Sequence, residues 1–150
     1  MSLPAYVVVD ASVSLKWALD DEEAVAQAVA LRDAAIAGRF QIVAPSLWLY
    51  EITNGLVTAT RRGRLAPEAG VQALFNLLAL GVRLADPEAS DVYKQAILYG
   101  VVAYDAAYLA LAKVLDTLVW TGDRRFYESV CDATDLVRWI GDFDSANILR

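Results

Sequence analysis

The sequence predicts an α/β domain built on a parallel sheet that is covered on both faces. Three observations predict it. Short β-branched or apolar runs alternate with longer amphipathic stretches along all 150 residues, the order expected of parallel strands joined by helices. The first run, Val7-Val8-Val9, reads as a buried strand; it ends in Asp10, and Ser12 is placed to cap the segment that follows. No linker, repeat or low-complexity block interrupts the alternation, and 57% apolar against 21% charged residues suits a folded chain with a sizeable core. Residues 1–150 therefore read as a single domain.

Met1 to Pro4 read as a lead-in and residues 5–10 as the first strand. Ser12 to Leu19 reads as a short helix with Val13 and Trp17 four apart. The acidic run Asp20-Asp21-Glu22-Glu23 suits the start of a second helix, where negative charge is favourable. Ala24, Ala28, Leu31 and Ala35 then share a face, and Gly38 stops the helix. Phe40 to Ala44 is the second strand, and Pro45-Ser46 opens a third helix that runs to about Arg62, where Gly63 closes it. Pro67-Glu68 opens a fourth to about Leu80, with Val71, Leu74, Phe75 and Leu78 on one stripe. Past Gly81 comes a brief strand, Val82 to Ala85. Asp86-Pro87-Glu88 carries the cap, proline and acidic first turn of a helix that ends near Gly100. A further helix spans about Asp105 to Lys113, Thr117 to Thr121 is a strand, and Gly122-Asp123 turns into a short helix. Asp135 to Trp139 reads as a last strand, and Gly141 to Arg150 shows no pattern.

Composition narrows the chemistry. There is no histidine, which removes Ser-His-Asp and Cys-His catalysis and His-based zinc sites together. Cys131 is the single cysteine, so neither an intrachain disulfide nor a thiolate cage can form. The eight glycines make neither G-x-G-x-x-G nor a Walker loop. What remains is carboxylates, hydroxyls, amides and basic side chains, and carboxylates with a hard divalent ion are the obvious candidate. A net charge of −6 speaks against broad salt-driven coating of nucleic acid, although Arg61, Arg62 and Arg64 gather locally, as do Arg124 and Arg125. No apolar run approaches the roughly 18 residues that span a bilayer, and no signal peptide is evident, so a cytoplasmic location is expected.

Asp10 and Asp123 both follow apolar strands and are expected at the same sheet edge, where open parallel sheets bind their ligands. Glu51 lies in the first half of the third helix with Asn54 three residues on, and Asp105 starts the helix before the last clear strand. Four carboxylates can thus converge. Like charges at close range raise one another's pKa, and a divalent cation reverses that cost. Each residue also has a plainer reading. Asp10, Asp105 and Asp123 serve as helix caps, Ser12 and Thr121 likewise, Asn54 as a surface residue, and Arg61, Arg62 and Arg64 as a solvated helix end. Trp17, Trp48, Trp120 and Tyr108 read as core or interface.

Four stretches in order resemble the signatures of PIN-domain ribonucleases, most closely the VapC toxins of bacterial and archaeal toxin–antitoxin pairs. They are Val7-Val-Val-Asp10-Ala-Ser12, Pro45-Ser-Leu-Trp-Leu-Tyr-Glu51-Ile-Thr-Asn54, Tyr104-Asp105-Ala-Ala-Tyr-Leu-Ala-Leu-Ala, and Trp120-Thr121-Gly-Asp123-Arg-Arg-Phe126. The resemblance implies a three-layer α/β/α sandwich with a short parallel sheet. It implies catalytic Asp10, Glu51, Asp105 and Asp123, with Asp10, Asp105 and Asp123 holding Mg²⁺ or Mn²⁺, and Ser12, Asn54 and Thr121 in support. The implied reaction is in-line hydrolysis of an RNA phosphodiester leaving 5′-phosphate and 3′-hydroxyl ends. Arg61, Arg62, Arg64 and Arg124 become candidate RNA contacts. A VapB-like antitoxin is the implied partner, laying a tail across the groove with an arginine among the four carboxylates and apolar residues beside Trp17 and Trp48.

Two other readings compete. A phospho-acceptor regulatory domain needs an acidic pair after the first strand and a lysine after a later one; Asp10 stands alone, and none of Lys16, Lys94 and Lys113 follows a strand. A non-catalytic PIN-like scaffold that binds RNA or protein would not need carboxylates at all four positions. The third and fourth helices carry more apolar surface than a small sheet covers (Leu47, Leu49, Tyr50, Leu56, Val57, Leu74, Phe75, Leu77, Leu78), which predicts a homodimer.

Overall fold

Val7 and Val9 face one side of the central strand and Val8 the other, and that period of two divides the protein into two cores. The computed structural model describes residues 5–147. Its strands are β1 (Ala5–Val9), β2 (Phe40–Ala44), β3 (Arg83–Leu84), β4 (Val119–Thr121) and β5 (Val137–Trp139). They form one parallel sheet in the order β3-β2-β1-β4-β5. The chain works outward from β1 to one edge, then crosses back to β4 on the other side. Its switch point lies between the carboxyl ends of β1 and β4, where such sheets open a crevice.

The helices are α1 (Ala11–Ser14), which runs on into a 3-10 turn at Leu15–Trp17, α2 (Val25–Ile36), α3 (Leu47–Arg61), α4 (Pro67–Ala79), α5 (Ala89–Tyr99), α6 (Ala103–Val114) and α7 (Arg124–Val130). On the larger face Val8, Val43, Ala44, Val119 and Val137 lie under α3, α6 and α7, with Trp48, Ile52, Tyr108, Leu109 and Phe126 filling the space between. On the smaller face Val7, Val9, Phe40, Ile42 and Trp120 meet Ala28, Leu31 and Ala34 of α2. The expected α/β/α layering is present, with unequal outer layers.

Several elements depart from the sequence reading. The acidic run 20–23 does not begin α2, which starts at Val25 behind a left-handed Ala24 (φ 59°). Asp21 and Glu22 are instead drawn to Arg64, and Glu23 to Arg124. Asp86 does not cap α5 but accepts from the backbone N–H (2.8 Å) and hydroxyl (2.7 Å) of Ser46, tying β3 to the start of α3. On α4 it is Leu77 that is buried, while Val71, Phe75 and Leu78 of the expected stripe are exposed. α6 starts at Ala103, two residues before Asp105. The tail is patterned after all: Ile140–Asp142 forms a 3-10 turn, and Ile140 and Phe143 complete the smaller core. Phe143 packs edge-on to Trp120 at 5.2 Å. The lead-in Met1–Pro4 and the last three residues of the tail lie outside the described residues. Among the described residues no single helix is long and apolar enough to cross a membrane.

Candidate active site

Parallel pairing of Val9 with Trp120 carries Asp10 to the tip of β1 beside Thr121. There two hydrogen-bond chains of fixed direction meet. The Gly122 N–H donates to the Ser12 hydroxyl (2.8 Å), which donates to Asp10 Oδ2 (2.5 Å). The Asp123 N–H donates to the Thr121 hydroxyl (3.0 Å), which donates to the same oxygen (2.8 Å). Each hydroxyl accepts from the backbone, so its own proton is directed at the carboxylate. The 121–123 loop is latched to Asp10 in this way, and Asp123 itself caps α7 by accepting from the Phe126 N–H at 3.2 Å. Burial raises the pKa of Asp10 above the usual carboxylate value, with the two hydroxyls working against it and Asp123 adding to it.

Glu51 and Asp105 arrive from the helices of the larger face. α3 leaves the end of β2 directly, with Trp48, Ile52, Leu56 and Ala59 buried along one side and Glu51 at the margin of that side, half-buried. α6 is buried from Ala106 to Ala112 and carries Asp105 in its first turn. One turn on, Tyr108 donates its hydroxyl proton to Glu51 Oε1 (2.7 Å) and accepts from the Ala11 N–H (3.3 Å). That bridge joins α3, α6 and α1, and it leaves Glu51 Oε2 without a protein partner among the described residues. Burial, followed by the fields of Asp10, Asp105 and Asp123 against the Tyr108 hydrogen bond, pushes Glu51 up to about 7. Asp105 is pushed up to about 6 by burial and by Asp10 and Asp123, with Arg125 acting against them. Burial also raises the Tyr108 phenol, keeping it a neutral donor.

The structure thus ties Asp10, Ser12, Thr121 and Asp123 together by hydrogen bonds and sets Glu51 and Asp105 where the fields of Asp10 and Asp123 reach them. It does not bring in Asn54, which is exposed and makes no hydrogen bond to that group among the described residues. Arg64 is engaged by Asp21 at 2.6 Å and Glu22 at 3.3 Å, and Arg124 by Glu23, with its guanidinium 4.4 Å above the Trp139 ring. Arg61 and Arg62 are exposed at the end of α3. Trp48 is 2% exposed and donates to the Ser14 hydroxyl, so it offers no surface to a partner; Trp17 is half-buried and donates to the Ala28 carbonyl. Sequence reasoning missed the bridge that Tyr108 makes to Glu51, for which the i, i+3 spacing of Asp105 and Tyr108 was the available signal.

The donor set is all hard oxygen, and burial, followed by neighbouring carboxylates, raises the pKa of Glu51 and Asp105, which suits Mg²⁺ or Mn²⁺. Among the described residues no three carboxylates close on a single point as they stand. A parallel α/β/α sheet with carboxylates gathered at its switch point defines a class of α/β proteins with an acidic crevice at the sheet edge. Within that class the chain belongs to the PIN-domain family, whose model matches residues 7–129. It is 35% identical over 83 residues to ribonuclease VapC3 of Pyrobaculum aerophilum, covering 53% of this chain and 63% of that protein, so it spans less than two thirds of that relative. It is 29% identical over 118 residues to exonuclease VapC9 of the same organism, covering 79% of this chain and 89% of that protein. The crystal structure of PAE2754 from P. aerophilum is also similar, with a TM-score of 0.69 and 25% identity over 91% of this chain and 90% of that one.

Proposed function

We propose that this protein is a VapC-like toxin, a metal-dependent endoribonuclease that hydrolyses RNA at Asp10, Glu51, Asp105 and Asp123. One observation carries the reading: Asp10, Glu51, Asp105 and Asp123 come from four separate elements to the switch point of the sheet, where burial and then neighbouring carboxylates raise Glu51 and Asp105, a costly arrangement that a cation relieves. Asp10, Asp105 and Asp123 are the proposed metal ligands. Because Mg²⁺ keeps several waters and takes one or two carboxylates directly, the site does not need a closed three-carboxylate cage. A bound Mg²⁺ or Mn²⁺ supplies positive charge that neutralises the scissile phosphate and eases ionisation of water. Ser12 and Thr121 orient Asp10 and hold the Asp123 loop against it. Tyr108 fixes Glu51 by one oxygen, and the other is placed to accept a proton from the attacking water.

The test is cleavage of a circular single-stranded RNA with Mg²⁺ or Mn²⁺, which an endonuclease opens and an exonuclease such as the second relative's name denotes leaves closed. Linear products with 5′-phosphate ends that vanish with EDTA are expected. A circle left intact while linear RNA is degraded would move the assignment to exonuclease, and no degradation of either would leave the scaffold reading.

Two partners belong to this reading. The first is a second copy. Leu56 and Leu77 of the expected interface are spent in the chain's own core, but Tyr50 is 76% exposed and Phe75 64%, with Val57, Val71 and Leu78 also outside. Light scattering at micromolar concentration is expected to give twice the 16.3 kDa chain mass; the single mass would refute the dimer. The second is a VapB-like antitoxin whose tail arginine enters the acidic crevice, since a planar guanidinium matches grouped carboxylates.

A further inference from the structure

Lys16 lies against the 121–123 loop and has no task in the chemistry proposed above. It is only 5% exposed, and lysines are almost never buried without a partner. Among the described residues no carboxylate comes within ion-pair distance of its ammonium. The two carboxylates whose charge favours it, Glu22 and Glu23, are already held by Arg64 and Arg124, and Arg124 opposes it. Its stem crosses the loop that carries Asp123. A Cβ at Gly122 would stand 2.6 Å from Lys16 Cε, 3.4 Å from Nζ and 3.3 Å from the Ser12 carbonyl. Gly122 has no left-handed φ to explain it, so what glycine provides there is room for the lysine.

A desolvated cation whose stem is packed against the Gly122 loop, with its acidic neighbours occupied elsewhere, is arranged for an anion that arrives from outside. We propose that Lys16 is a substrate-binding residue whose ammonium holds a non-scissile phosphate of the RNA strand as it passes the 121–123 loop. The proposal rests on the ribonuclease reading and deepens it. It also accounts for Arg124 and Arg64 being tied to acidic residues: they keep Glu22 and Glu23 from capturing the lysine.

The experiment measures Mg²⁺-dependent cleavage of single-stranded RNA by the wild type and Lys16→Met over a range of salt. Lys16→Met is expected to raise KM about tenfold, the loss of one charge-assisted hydrogen bond, with kcat and melting temperature little changed. The slope of log KM against log salt should fall by about 0.7, the value of one phosphate on a single strand. A second measurement needs only the wild type: neutral methylphosphonates placed one at a time should reveal a non-scissile position that raises KM by a similar factor, and that position should be silent in Lys16→Met. An unchanged salt slope in a folded Lys16→Met, or wild-type cleavage indifferent to every non-scissile methylphosphonate, overturns the inference and leaves the ribonuclease reading standing. Wild-type protein that cleaves no RNA overturns both.

Discussion

Asp10→Asn is expected to cleave RNA at least about 100-fold more slowly than the wild type, while melting no lower than the wild type in EDTA. Outer-shell partners of metal sites already cost about 10–100-fold when removed, and Asp10 is proposed as a ligand itself. The hydrogen-bond chains decide how asparagine sits. Both hydroxyl protons, from Ser12 and Thr121, converge on Asp10 Oδ2. Only an acceptor fits that place, so the amide oxygen takes it and the NH₂ turns toward the crevice. A donor without charge then faces the cation position. Stability moves the other way, because the lost charge is a buried one whose pKa burial and Asp123 both raise. Removing it relieves a desolvated, repelled group while keeping the shape and the latch. Cleavage rates with Mg²⁺ and melting curves in EDTA check the two halves. A folded Asp10→Asn that cleaves as fast as the wild type would remove Asp10 from the site.

Which parts of this were legible in the sequence follows from what each part depends on. Asp10 and Asp123 could be placed because each follows closely on a short run read as a strand, Asp10 directly after Val9 and Asp123 two residues past Thr121. Glu51 and Asp105 could be named as candidates from their helix positions, but choosing that over a plainer reading took the resemblance, since a helix period fixes a face but not what that face meets. The same limit explains α4: the stripe Val71, Phe75 and Leu78 is periodic, yet the core takes Leu77 and the stripe faces out. Asp86 illustrates a local tie. Its position suits a cap for the helix that follows, and the fold gives it instead to Ser46, forty residues earlier. Tyr108 and Lys16 were hidden for a related reason. Their roles depend on hydrogen bonds and close approach between residues far apart in the chain, Tyr108 with Glu51 and Lys16 with Gly122.

Without metal, the protein is expected to melt higher at pH 5 than at pH 7.5, and saturating Mn²⁺ is expected to narrow that gap. Glu51 is pushed from 4.5 up to about 7, and Asp105 from 3.8 up to about 6, in each case first by burial and then by neighbouring carboxylates. An acid with a raised folded pKa binds protons more readily folded than unfolded. Its contribution is therefore fully present below the unfolded value and is lost as pH rises through the folded one. The window runs from about pH 4 to about pH 7. Asp21 and Glu23 act in the opposite sense, since their arginines hold them low, but their effect falls at more acidic pH and on exposed groups. A cation binds the deprotonated carboxylates, so its stabilisation is largest at the pH where the free site is most strained. At 100 times Kd it adds about 2.7 kcal/mol, equivalent to roughly 5–10 °C for a chain of this size. At pH 5 protons compete for the same oxygens and the gain shrinks. Melting curves from pH 5 to pH 8, in EDTA and in millimolar Mn²⁺, measure both trends. Curves that ignore Mn²⁺ at pH 7.5 would leave the grouped carboxylates with nothing to bind, and the hydrolytic reading would fall with them.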